Sequence, residues 1–220
     1  MTVTYHGHSA FKLKGKRGTV VTDPYTAAVG FELPSMSADI VTVSHDHSDH
    51  NASGLVRGTS RRENPFLITQ PGEYELGGIS VFGARSFHDA AQGVERGKNT
   101  IFTILLDDIR VCHLGDLGHE LTDEQREFIG GVDILLCPVG GTFTIDAQTA
   151  VKVIRTLEPS IVIPMHYKTE RHDEKLFADL QPVSTFLKEY GVEVTAQAKL
   201  DVEKETLPEE TEVIVLTEQA

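Results

Sequence analysis

The hexapeptide His45-Asp46-His47-Ser48-Asp49-His50 constrains this chain more than any other stretch. It follows the apolar run Ile40-Val41-Thr42-Val43, so a strand ending there projects His45, His47, Asp49 and His50 from one short loop. Imidazole nitrogen and carboxylate oxygen are the ligands of zinc and related divalent ions. A turn is built from Gly, Asn, Asp, Ser or Pro and has no use for three histidines at this spacing. So many donors in one tight loop exceed what one tetrahedral ion takes, which argues for two neighbouring ions.

Three more apolar runs end on the same kind of residue. Ser86-Phe87-His88-Asp89 closes the run begun at Ile79, His113-Leu114-Gly115-Asp116 the run begun at Arg110, and Pro164-Met165-His166-Tyr167 the run begun at Ile161. Each alone reads as a satisfied structural residue. Together with the hexapeptide they point to loops converging at one edge of a sheet, where sites collect.

The elements expected around these loops are mostly short strands, over 3–5, 10–14, 19–22, 39–43, 66–69, 73–76, 79–84, 100–106, 110–113, 132–137, 161–164 and 213–216. Pro71-Gly72, Gly77-Gly78 and Asp107-Asp108 punctuate them. A helix over 122–129 is signalled by Thr122 with Gln125 three residues on. A second, over 146–157, carries Ala147, Ala150, Val151, Ile154 and Leu157 at helical spacing and stops before Pro159. A third, over 182–190, shows Val183, Phe186, Leu187 and Tyr190 on one face with Gly191 past its end. With no internal repeat, low-complexity tract or linker, residues 1–220 read as one α/β domain.

Composition removes several classes of function. A net charge of −13 with no basic run opposes nucleic acid and anionic membrane as partners, although bound metal ions would give a local positive site for a small anion. No stretch is apolar enough to span a bilayer, and Met1-Thr2-Val3-Thr4-Tyr5-His6 is not a signal peptide, so a cytoplasmic protein is expected. Cys112 and Cys137 sit in apolar, strand-like runs and are expected to be buried and reduced.

The order of His45-Asp46-His47-Ser48-Asp49-His50, then His88, Asp116 and His166, resembles the metallo-β-lactamase superfamily. Asp23, in Thr22-Asp23-Pro24, matches its first motif, a buried carboxylate behind the metal loop. Within the superfamily the chain is similar to small, stand-alone metal-dependent hydrolases related to ascorbate-phosphate lactonase. Gly7-His8-Ser9-Ala10-Phe11, Pro138-Val139-Gly140-Gly141-Thr142-Phe143-Thr144 and Pro164-Met165-His166-Tyr167 carry that narrower likeness. The resemblance implies a four-layer αββα sandwich.

It also implies roles. His45, His47 and His88 would hold one ion, Asp49, His50 and His166 the other, and Asp116 would bridge them. A hydroxide between the ions would be the nucleophile, because a bound divalent ion lowers the pKa of water to about 7 and two ions about 3.5–4 Å apart stabilise both attacking and leaving oxygens. Asp49 and Asp116 are then catalytic as well as ligating, and His8 is the candidate substrate contact or proton donor to the leaving group. Asp23 would orient a ligand histidine from behind, with Asp89 as another acceptor there. Gly141 and Thr142 would take an anionic group on backbone N–H near the helix that follows, and Tyr167 would line the pocket with Lys168. His113 is expected to pack within its strand, and His6, His119 and His172 to be exposed.

The expected protein is a dinuclear metal-dependent hydrolase of a small ester, lactone or phosphodiester. Its ions are two divalent cations, zinc first and manganese or iron next. Its partner is a small-molecule substrate; its oligomeric state is open. An iron-binding oxidoreductase or dioxygenase-type protein of the same fold, or a non-catalytic metal-binding module, is the alternative. The ligand set argues against the module, since a structural zinc closes with four ligands.

Overall fold

The computed structural model describes residues 1–219. Its strands are β1 (Thr2–Tyr5), β2 (Phe11–Lys14), β3 (Thr19–Thr22), β4 (Met36–Ser37), β5 (Ile40–Thr42), β6 (Val56–Arg57), β7 (Phe66–Ile68) and β8 (Gly72–Leu76). They continue as β9 (Ile79–Phe87), β10 (Lys98–Leu106), β11 (Ile109–His113), β12 (Ile134–Pro138), β13 (Ile161–Met165), β14 (Leu200–Asp201) and β15 (Glu212–Val213). The helices are α1 (Asp123–Ile129), α2 (Ala147–Leu157) and α3 (Val183–Tyr190). One sheet has the order β14-β1-β2-β3-β5-β7 and the other β15-β13-β12-β11-β10-β9-β8, with β4 and β6 forming a separate ribbon.

Side-chain alternation sets the layers. In β3, Val20 joins the main core and Val21 faces the other way; in β5, Ile40 and Val41 divide likewise. The main core unites Val3, Tyr5, Phe11 and Leu13 of the first sheet with Val81, Phe102, Ile104 and Val111 of the second. β12 and β13 are buried at every position, as parallel strands covered on both faces must be. The helices cover the second face of this sheet, α1 over β9 and α2 over β12 with α3 packed on α2, and bring Ile129, Val151, Ile154 and Phe186 into the same core. Over the outer face of the first sheet, Val21, Val41 and Val43 meet Met36, Ala38 and Val56. The result is the expected four-layer αββα sandwich, with a thin outer layer over the first sheet made from the β4–β6 ribbon and the 3-10 turns Ala27–Val29 and Ser53–Leu55.

Local signals hold at the termini. Thr122 and Gln125 make the reciprocal capping box of α1, Asp146 accepts from Thr149 N–H to cap α2, and Gly191 ends α3 in the left-handed region. The Asp107-Asp108 turn has φ values of 53° and 64°, a combination suited to the two-residue hairpin that joins β10 to β11. β9 and β10 are nine residues each, longer than expected, because they stay paired out to Lys98 opposite Phe87. That extension carries β9 to the residue before His88. The final strand is shorter than expected, Glu212–Val213, with only a bridge from Leu216 to Gln197 beyond it.

β3 and β5 run parallel in one sheet, and β9, β11 and β13 share one direction in the other. Asp23, the hexapeptide, His88, Asp116 and His166 all follow the carboxyl ends of these strands. That end of an α/β sheet is where ligands bind. Among the described residues, no helix is long and apolar enough to cross a membrane.

Candidate metal centre

Asp116 stands at the middle. It is 1% exposed, and its Oδ2 lies 3.2 Å from His88 Nε2, 3.2 Å from His166 Nε2, 3.3 Å from His50 Nε2 and 3.9 Å from His45 Nε2. Burial opposes its charge, but the imidazoles of His166 and His50 outweigh that and hold the carboxyl well below the usual range. Two ligand groups flank it. His45, His47 and His88 form one; His8, Asp49, His50 and His166 form the other, the donor atoms in each lying within 4.8 Å of one another.

The chain positions these groups from behind. Asp23 is fully buried, receives Ser44 N–H on Oδ1 at 2.8 Å and His50 Nδ1 on Oδ2 at 2.9 Å. A carboxylate only accepts, so His50 carries a proton on Nδ1 and turns its Nε2 towards Asp116. Ser44 Oγ donates to Asp23 Oδ2 and therefore accepts from His45 Nδ1 at 2.9 Å, which sets His45 the same way. Burial, then the neighbouring His50, pushes His45 down to about 3, keeping its lone pair free. Asp116 N–H donates to Asn99 Oδ1 at 3.0 Å, and Asn99 Nδ2 holds the Leu114 carbonyl. A Cβ on Gly115, whose φ is +57°, would lie 2.6 Å from Ser44 Cβ, so two loops meet there with no room for a side chain. Asp23, His8 and His166, with φ of 37°, 53° and 52°, are all left-handed. Such conformations gather at functional sites and cost of order 1–3 kcal/mol each.

The residues fit metal ions. Buried Asp116 Oδ1, His45 Nε2 and His50 Nε2 have no hydrogen-bond partner among the described residues. Orphaned polar atoms at this density are costly unless something binds them. For His50, burial opposes a charge but Asp116 and then Asp23 outweigh it and raise its pKa well above the usual value. A proton there marks where the fold stabilises positive charge.

Several expectations need correction. His8 is fully buried and opens to no substrate: its Nε2 lies 3.2 Å from Asp49 Oδ2 and its Nδ1 3.3 Å from His172 Nε2. His172 is 3% exposed, not a surface residue, because it packs between Phe31 and Phe177. Asp89 supports no ligand histidine; its two oxygens accept the N–H groups of Ala91, Gly93, Glu95 and Arg96 and fold the loop after His88. Tyr167 does not line an open pocket, since its ring is buried 6.1 Å from that of Tyr5. Gly141 and Thr142 sit in a tight turn in which the N–H groups of Phe143 and Thr144 bond back to the Gly141 carbonyl, Thr142 Oγ1 donates to the Asp179 carbonyl at 2.8 Å, and Asp146 caps the helix start. Gly140 instead backs onto the His166 carbonyl, where any Cβ would collide. His6 and His119 are half-buried, and His119 Nε2 accepts Phe87 N–H at 3.2 Å. His113 packs in its strand as expected, with its Nε2 2.9 Å from the Ser9 carbonyl.

A cavity of about 1000 Å³ opens beside His45 and His47. Arg85, Arg96 and Lys98 line it against one carboxylate, Asp46, and none of the three has an ion-pair partner among the described residues. Sequence reasoning missed these cations, as it missed Asn99 and Ser44. Arg85 lies near the end of β9, Arg96 just before β10 and Lys98 at its start, and the pairing of Thr100 with Arg85 and of Lys98 with Phe87 brings the two stretches side by side.

The sequence matches the family described as "Beta-lactamase superfamily domain" over residues 2–166. A "UPF0173 metal-dependent hydrolase" of Thermoplasma volcanium is 28% identical over 191 residues, covering 76% of this chain and 83% of that protein. A Thermotoga maritima structure, assigned to the Zn-dependent hydrolases of the metallo-beta-lactamase superfamily, is 38% identical and superposes with a TM-score of 0.78 over 98% of this chain and 97% of that one. Igni18, a metallo hydrolase of Ignicoccus hospitalis, shares the fold at 20% identity and a TM-score of 0.66, over 97% of this chain and 94% of its own.

Proposed function

This chain belongs to the beta-lactamase superfamily and is a metal-dependent hydrolase, and we propose that it works with two divalent ions on a small ester, lactone or phosphodiester. His45, His47 and His88 would hold one ion and Asp49, His50 and His166 the other, with the Asp116 carboxylate available to both. The observation that carries this reading is the pair of ligand groups on either side of one buried carboxylate, with Asp116 Oδ1, His45 Nε2 and His50 Nε2 otherwise left without partners. The nitrogen-rich donor set suits zinc.

Bound there, the ions would acidify water and offset the negative charge that builds on the acyl or phosphoryl oxygens. The chain does the rest. Asp23 and Ser44 keep the lone pairs of His50 and His45 facing inward. Asp116 and Asp49 supply the anionic oxygens that balance the cations. Arg85, Arg96 and Lys98 suit a substrate with a negative charge remote from the bond that breaks. The whole chain serves as one catalytic domain.

Titration of metal-free protein with Zn²⁺, followed by an ester, lactone and phosphodiester panel, tests this. Saturation at two equivalents and hydrolysis that needs both is the expected result. Full activity at one equivalent, with no second binding event, refutes it.

A further inference from the structure

We infer that His172 is a positioning residue: it fixes the ring tautomer of His8, so that His8 donates to Asp49 and is not a metal ligand. The consequence for metal binding rests on the two-ion reading; the hydrogen-bond chain itself does not.

The chain of bonds has one fixed direction. Two groups of Thr169 meet His172 Nδ1: the backbone N–H at 3.1 Å, which can only donate, and Oγ1 at 3.0 Å, which can donate to the same lone pair. His172 Nδ1 is therefore the lone-pair nitrogen. An imidazole that accepts at one nitrogen must keep its proton on the other, since accepting at both requires the imidazolate. So His172 donates from Nε2 to His8 Nδ1, at 3.3 Å. The same step repeats: His8 accepts at Nδ1, holds its proton on Nε2, and donates to Asp49 Oδ2 at 3.2 Å.

The surroundings leave His8 little other freedom. Its carbonyl accepts from Tyr5 Oη at 2.9 Å and from His166 N–H at 2.8 Å, which pins its left-handed backbone. The Phe177 ring lies 5.2 Å from His8 and 5.4 Å from His172, and Phe31 lies 5.4 Å from His172, an apolar sleeve around the pair. The His172 loop is tied down in turn by Arg171, whose guanidinium lies 3.1 Å from the Glu218 carboxylate.

The assignment settles an ambiguity of proximity. His8 belongs to the group His8, Asp49, His50 and His166, so distance alone makes it a fourth ligand of that ion. With a proton on Nε2 it has no lone pair to offer. It ties one oxygen of Asp49 and leaves the other for an ion. Partners of this kind, one step behind a ligand, are worth about 10–100-fold in metal affinity.

Long-range ¹H–¹⁵N spectra of the metal-free protein test this without any ion. Both His8 and His172 are expected as the Nε2–H tautomer; an Nδ1–H tautomer or an imidazolium for either overturns the inference. His172→Leu removes the donor, and His172→Gln places an amide N–H near the lost Nε2. In the leucine variant, His8 should lose its single-tautomer signature, and the second equivalent of Zn²⁺ should bind about tenfold more weakly while the first is unchanged. The glutamine variant should recover to within about twofold of the parent protein. A folded His172→Leu variant with the parent His8 tautomer and parent zinc affinities refutes it, and if that variant does not fold, the parent spectrum decides. A protein that takes only one ion would sink the two-ion reading and leave the tautomer result standing.

Discussion

Replacing Asp116 by asparagine keeps the side-chain volume and removes its charge. The structure sets the scale. Four imidazole nitrogens lie 3.2–3.9 Å from one Asp116 oxygen, and the other oxygen is buried without a partner. A unit charge about 3.2 Å from another interacts by about 5 kcal/mol at an effective dielectric of 20. Among the proposed ligands only Asp49 and Asp116 are anionic, so the variant leaves one negative charge facing two dications. Ligand rearrangement and water recover part of the loss. We expect a net effect of roughly 3 kcal/mol, which is about a hundredfold in affinity for the more weakly held ion. Hydrolysis should fall by at least about a hundredfold, as on losing a principal electrostatic contributor. Elemental analysis after dialysis, zinc titration calorimetry and turnover of the best panel substrate read the three quantities, with near-ultraviolet circular dichroism to confirm the fold. His119 is unsuitable as the control because it holds the N–H of Phe87, beside His88. Lys188→Gln, exposed on α3, should stay within about threefold of the parent. An Asp116→Asn protein that keeps two ions and parent-level turnover would refute the central role given to this carboxylate.

Gly115→Ala should lower Tm by several degrees and weaken zinc binding, because its Cβ would press on Ser44 at a left-handed position; an unchanged Tm in a thermal melt counts against the close approach described. Asp89→Ala frees four backbone N–H groups, so hydrogen exchange at Ala91, Gly93, Glu95 and Arg96 should speed markedly while the strands stay protected; unaltered exchange there removes Asp89 as the loop's anchor. Burial pushes the Cys112 thiol up to about 12 and raises Cys137 as well, so at pH 8 both stay protonated; iodoacetamide should label neither until denaturant is added, and rapid native labelling at either would contradict their burial.

The ligand set was legible because its signal is local. Six consecutive residues carry four donors, and the remaining donors sit immediately past apolar runs whose strand character is plain. The sandwich was legible for a related reason: period-2 and period-3.6 patterns survive in elements of four residues or more. β4, β6 and β14 have two residues each, too few to show a period, and the thin outer layer over the first sheet escaped with them. The environment of the site was less legible. His172 lies in the polar stretch Thr169-Glu170-Arg171-His172-Asp173, which reads as a solvated loop until Phe31 and Phe177 close over it. Tyr167 and Thr142 were placed in the pocket by their neighbours in sequence, yet each side chain turns to a partner elsewhere, Tyr5 for one and the Asp179 carbonyl for the other. The physical difference is one of range. A metal ligand is recognisable by its own chemistry, whereas a positioning residue takes its role from a partner far away in the chain. His8 is the clearest case: its partners Asp49 and His172 lie 41 and 164 residues away, and whether its ring gives a lone pair to an ion or a proton to Asp49 is decided by the more distant of the two.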